Sequence, residues 1–181
     1  MRILPRAYDH PDAVKLQEQV QLEYVERYGD PDFTVMDPAQ FAPPCGLYLI
    51  AYEDDGTPVA TGGWRTQDRN GEGYADGDAE IKRMYVVPHA RGRGLARRIL
   101  AALEDDARAA GRIRMVLETG IMQPEAIELY ASSGYAPVPE QLKFGLYRAY
   151  DSSRCFTKPL TEPASPRSPR SSGSSRSQGS P

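Results

Sequence analysis

Arg91-Gly92-Arg93-Gly94-Leu95-Ala96 sets two glycines and two arginines at the entrance to an amphipathic stretch, shortly after an apolar run that ends at Pro88. A strand, a glycine-rich turn and a helix start in that order build an anion site. Glycine lets the backbone approach closely, and the free N–H groups of the first helical turn point at the guest with the helix dipole behind them. Arg97 and Arg98 add further positive charge, and a pyrophosphate is the natural guest. Two common carriers of that group fail: a dinucleotide fingerprint needs a third small residue where this chain has Arg97, and a P-loop needs Gly-Lys-Ser/Thr after the glycines. A basic helix start with no ligand is the plain alternative.

The elements that must hold this turn can be read from hydrophobic period. Glu80 to Val87 reads as a strand closed by Pro88, and Gly94 to Ala110 as an amphipathic helix with Leu95, Ile99, Ala102 and Leu103 on one side and Gly111 as its C-cap. Ile113 to Leu117 predicts the next strand, Pro124 to Ser133 a short helix, Tyr135 to Val138 and Cys155 to Lys158 two more strands. Upstream, Arg2 to Tyr8 reads as a strand. A helix capped within Asp9 to Asp12 then shows an apolar face of Val14, Leu16, Val20, Tyr24 and Tyr28, and Gly29-Asp30-Pro31 stops it. Leu47 to Tyr52 and Val59 to Trp64 flank turn residues as an antiparallel hairpin, and Arg69 to Gly77 reads as a polar loop. The sum is a mixed α/β (α+β) fold, largely antiparallel in its front half, with a strand-loop-helix-strand crossover behind.

With these residues in place, the chain resembles the Gcn5-related N-acetyltransferase (GNAT) superfamily. Arg91 to Ala96 fits that family's signature Gln/Arg-x-x-Gly-x-Gly/Ala, and Glu118-Thr119-Gly120 followed by Gln123 to Tyr130 and Gly134-Tyr135 looks like its second cofactor segment. The resemblance implies a largely antiparallel central sheet flanked by helices and acetyl-CoA as cosubstrate; the residues themselves imply no metal. It also implies a cofactor site in which the backbone of Met84, Tyr85 and Val86 pairs with the pantetheine arm and Arg91, Gly92, Arg93, Gly94, Leu95 and Ala96 cradle the pyrophosphate. Gln123 stands where the family often has Asn. Glu80, eleven residues before Arg91, lies where some members carry a general base. Tyr130 matches the tyrosine assigned to protonate the departing thiolate, and homodimers are common among members.

For Glu80 the bland reading is a salt bridge to Lys82 or Arg83; alternation puts Lys82 on its face and Arg83 on the other. For Tyr130 it is a core aromatic. A base matters for a lysine-like amine, whose pKa of about 10.4 leaves roughly 4 to 5 kcal/mol of deprotonation to be met at pH 7; for an α-amino group the figure is about 1 kcal/mol. Tyr24, Tyr28, Trp64, Arg65 and Lys82 are the expected acceptor-pocket residues, with Arg65 and Lys82 suited to an acceptor carboxylate. The expected activity is acetyl transfer to a primary amine of a small molecule, by direct attack in a ternary complex. The alternatives are a protein N-terminal or lysine acceptor, and, in another class, a non-catalytic acyl-CoA-binding regulator.

Composition sets bounds on the rest. The length of 181 residues suits one domain, expected over 1–160, while 161–181, rich in Ser, Pro, Gly and Arg with no aliphatic residue larger than Ala, reads as a disordered tail. The net charge of -3 becomes about -5 once the three Arg and one Glu of that tail are removed, which disfavours nucleic acid. No signal-like or membrane-length apolar run occurs, so a cytoplasmic protein without membrane contact is expected. Cys45 and Cys155, far apart, read as reduced thiols, and His10 and His89 have no second ligand at zinc spacing.

Overall fold

The β-branched and aromatic runs of the sequence form one sheet. In the computed structural model, which describes residues 1–160, its strands are β1 (Arg2–Pro5), β2 (Gly46–Tyr52), β3 (Pro58–Gln67), β4 (Asp78–Val86), β5 (Arg114–Gly120), β6 (Ala136–Pro137) and β7 (Ser153–Pro159), in the order β1-β2-β3-β4-β5-β7-β6. Every neighbouring pair is antiparallel except β4 and β5. Helices α1 (Pro11–Tyr28), α2 (Leu95–Ala109) and α3 (Pro124–Ser132) flank the sheet. No helix among the described residues is long and apolar enough to cross a membrane. The reading of 161–181 as a disordered tail lies outside the described residues.

Local chemistry sets the element ends. The α1 cap is His10, whose Nδ1 accepts from the Asp12 amide at 3.1 Å, and Gly29 ends the helix at φ 84°. The buried stripe is Ala13, Leu16 and Val20, while Val14, expected on it, is exposed. Gly111 takes the left-handed conformation one residue past the α2 cap, Ala110. β1 ends at Pro5, short of Tyr8, and the Tyr135–Val138 strand shrinks to two residues.

Two irregularities at β4 create the site. It pairs with β5 only through Asp78↔Arg114, Ala79↔Met115 and Glu80↔Val116; beyond these, β5 follows β7 and β4 follows β3, so the strands part. The β3–β4 register also slips between Thr61 and Gly63, and opposite that bulge Arg83 holds φ 57°, a conformation uncommon for a non-glycine residue and typical of built-in kinks. Space at Gly62 is tight: a Cβ there would run into the Met84 sulfur and lie 3.1 Å from Ile99, so the Met84 side chain would have to swing aside.

The two faces are distinct. A Cβ on Gly63 would meet Tyr48 and Phe41, whereas one on Gly62 would meet Ile99 of α2. The cross-strand pairs Gly63↔Lys82 and Arg65↔Glu80 therefore share the Tyr48 side, and Trp64↔Ile81 shares the α2 side. Trp64, expected in the acceptor pocket, is 1% exposed, and its indole N–H donates to Asp106 of α2 at 2.8 Å. A small second core of Tyr74, Val116, Phe144 and Cys155 seats the segment between β6 and β7.

Candidate active site

Where β4 and β5 part, a cleft of about 470 Å³ runs along β4, the start of α2 and one side of α3. It is lined by the residues expected to hold the cofactor, Met84, Tyr85, Val86, Arg91, Gly92, Gly94, Leu95, Ala96, Gln123 and Tyr130, with the exception of Arg93. Gly92 and Gly94 have φ of 75° and 73°, and a Cβ on either would stand in open space. Gly94 caps α2 with no side-chain hydrogen bond, so the first-turn amides lack a protein acceptor there. Left-handed glycines before uncapped amides form a cradle that fits a pyrophosphate.

The arginines around this cradle are already engaged. Arg91 Nε donates to the Val86 carbonyl at 3.0 Å, and its guanidinium lies against Glu23 and over the Tyr85 ring. Arg93 turns away onto Glu53. Arg97 donates to the Ser132 carbonyl at 3.2 Å and to its hydroxyl at 3.0 Å, joining α2 to α3 across the cleft.

Tyr130, 5% exposed, packs edge-on against Tyr135 with ring centroids 5.6 Å apart. Burial, with a smaller contribution from Tyr24, pushes its pKa above the ordinary tyrosine value, so it keeps its proton.

A second cavity of about 310 Å³ adjoins the first, and Tyr24 and Gln123 line both. Its walls include Tyr28 from α1, Lys82 from β4, Glu118 from β5 and Tyr147 and Tyr150 from the segment before β7. The Tyr28 hydroxyl accepts from the Met122 amide at 3.1 Å and lies where a Cβ on Gly120 would have to be.

Glu80, read as a candidate base, lies outside both cavities. Its side chain is 0% exposed and meets Arg65 Nε at 2.7 Å and Lys82 Nζ at 2.9 Å. Tyr74 donates to it at 2.6 Å and Gln67 at 2.9 Å. Burial alone would raise its pKa, but Lys82, Arg65 and these hydrogen bonds outweigh it and bring the group down to about 2. A sealed, fully satisfied carboxylate is a poor proton acceptor, so the salt-bridge reading replaces the catalytic one. Arg65 is consumed by the same cluster and by the Gln40 side chain at 2.8 Å, so it does not reach the acceptor cavity.

Glu118 is the carboxylate that sequence reasoning passed over as part of the cofactor segment. One oxygen accepts from Ser153 Oγ at 2.8 Å and the other from the Tyr147 amide at 3.3 Å. Burial raises its pKa above the usual carboxylate value, partly offset by Ser153, Lys82 and the Tyr147 amide. Its place on the strand that parts from β4 was the available signal: alternation sets it on the face of Val116, opposite Leu117.

A model of the acetyltransferase (GNAT) family matches residues 13–135, spanning α1, both cavities' main strands and α3. This chain belongs to that family. It is an N-acetyltransferase, and acetyl-CoA-dependent acyl transfer is its chemistry. Over 147 residues this acetyltransferase is 35% identical to an IAA acetyltransferase of Azospirillum brasilense, covering 81% of this chain and 90% of that protein. It is similar to a Klebsiella pneumoniae protein assigned as an acyl-CoA N-acyltransferase, with 28% identity, TM-score 0.71 and coverage of 88% of this chain and 97% of the other. The Salmonella typhimurium protein yncA, whose structure holds acetyl-CoA, shares the fold at TM-score 0.62 and 22% identity, covering 92% of this chain and 98% of its own.

Proposed function

We propose that this enzyme acetylates the primary amine of a small molecule by direct attack in a ternary complex, with Glu118 as proton acceptor and Tyr130 as proton donor. The observation that carries this reading is the meeting of two cavities at the β4–β5 fork, one walled by the glycine cradle and the other lined by the half-buried Glu118 carboxylate. When bound, acetyl-CoA supplies a thioester acetyl group and a thiolate leaving group.

The chain's residues divide the remaining work. The α2 first turn, with Gly92 and Gly94, holds the pyrophosphate; the cleft-facing backbone of Met84 to Val86 has no strand partner on the β5 side and receives the pantetheine arm as an added strand would. Glu118 takes the ammonium proton first, and the freed amine then attacks the acetyl carbonyl; as the C–S bond breaks, Tyr130 delivers a proton to sulfur and is reprotonated, through solvent, by the second proton leaving nitrogen. Cys45 and Cys155 play no part: neither lines either cavity, and burial raises the pKa of Cys155 to about 11.

The test is release of free thiol from acetyl-CoA by purified protein across a panel of amines; silence with every amine would end the proposal. Tyr130→Phe lowers kcat roughly tenfold and leaves KM for acetyl-CoA unchanged, because a thiolate of pKa about 8.5 leaves tolerably without an acid. Gly94→Val raises KM for acetyl-CoA by about tenfold or more, since a branched side chain opposes φ 73° and intrudes on the cradle. Steady-state kinetics at fixed acceptor checks both.

A further inference from the structure

The second cavity's chemistry selects among amines. Its volume, about 310 Å³, sits at the small end of ligand pockets, roughly 300 to 1,000 Å³. Of the charged side chains lining it among the described residues, Asp30, Asp32 and Glu118 are carboxylates and Lys82 is the cation. Lys82 is largely committed elsewhere: its side chain is 9% exposed and its Nζ is 2.9 Å from Glu80. Asp32 faces Arg83 at 3.2 Å and accepts from Thr34 and from the Tyr147 hydroxyl at 3.0 Å, so it braces the rim. Glu118 has no cation within ion-pair distance of it in the described structure, and its oxygens keep unused lone pairs on the wall of this cavity.

Aromatic rings supply the rest of the wall. Tyr24 and Tyr28 stand on the α1 side, Phe33 on the following loop, and Tyr147 and Tyr150 on the opposite segment with centroids 5.9 Å apart. Phe33 and Tyr150 are both more than half exposed, which leaves apolar surface for a guest to cover. Rings and carboxylates together attract an ammonium on an apolar body and repel an anion.

We infer that the acceptor is an arylalkylamine, a primary amine on an aromatic skeleton without a carboxylate, seated with its ring among Tyr28, Phe33, Tyr147 and Tyr150 and its nitrogen toward Glu118. This rests on the acetyl-transfer reading above and reverses the expectation of an amino-acid-like acceptor, because Arg65 and Lys82 are both spent on Glu80. It also agrees with the need for a base, since such amines are mostly protonated at pH 7, as lysine is.

Matched pairs test it: tyramine against tyrosine and phenethylamine against phenylalanine, followed by thiol release from acetyl-CoA. The expected result is kcat/KM at least about tenfold higher for each amine than for its amino acid. Tyr150→Ala should raise KM for phenethylamine severalfold with KM for acetyl-CoA unchanged. Equal or better use of the amino acids overturns the inference, as does acetylation of spermidine, glucosamine or a peptide with neither pair used; in both cases acetyl transfer itself stands. An unchanged phenethylamine KM in Tyr150→Ala also overturns the inference, since the ring would then not be seated on that wall. Silence with every amine overturns the acetyl-transfer reading beneath it.

Discussion

Glu118→Gln lowers kcat by about 10²- to 10³-fold while acetyl-CoA binding, measured by thermal shift, stays as in the parent enzyme. Glutamine keeps the side chain's size and accepts from Ser153, but it takes no proton from an ammonium. The pH profile carries the sharper sign. Burial raises the Glu118 pKa, so the base form disappears as pH falls through that raised value, and the parent's acid limb lies above the ordinary carboxylate range. In Glu118→Gln that limb is absent from the residual activity. Stability moves the other way. A carboxylate with a raised native pKa favours the folded state in its protonated form, and that contribution fades as pH rises above the unfolded value. The substitution therefore leaves stability at neutral pH unchanged or slightly higher, and a kcat loss cannot be put down to unfolding.

Glu80→Gln produces the opposite pattern, a large fall in stability with kcat per folded molecule little changed. Removing one partner of a buried ion pair costs about 3 to 5 kcal/mol, and here both Arg65 and Lys82 lose their counter-ion. The pKa is lowered from an ordinary 4.5 to about 2, so the stabilisation is fully present above the unfolded value and is lost as pH drops from there toward the native one. Urea unfolding of the variant and parent at pH 7 and pH 3 checks this: the gap between them is wide at pH 7 and narrows at pH 3. A variant of parental stability with abolished turnover would return Glu80 to the chemistry.

The elements were legible in the sequence wherever a strong period met a strong stop. α2, with Leu95, Ile99 and Leu103 buried and glycines at both ends, is the clearest case, and the cradle before it follows from the same residues. What the sequence did not reveal depends on geometry that no window of residues contains. Trp64 and Arg65 both read as acceptor-pocket residues on a strand facing the thioester, yet adjacent strand residues face opposite ways, and the indole goes to α2. Gln67 lies across a loop from Glu80 and Tyr74 lies within that loop, so the cage that silences Glu80 is visible only after folding. Glu118 and Asp32 sit 86 residues apart in the chain, and the segment supplying Tyr147 and Tyr150 has no period to read. A loop held by Lys143 Nζ on the Tyr150 carbonyl at 2.9 Å is written in hydrogen bonds, not in pattern.

The fork between β4 and β5 also bears on self-association. An unsatisfied row of peptide groups on an outer strand recruits strands from neighbouring molecules and seeds aggregates. Here the row lies inside the sheet, with β3 on one side of β4 and β7 completing the ladder of β5. A foreign strand entering it would need room for its own side chains on both faces, against α2 on one and α1 on the other. A slender extended arm needs none, so this inner row stays open to an extended guest while a strand of a second copy is kept out of it.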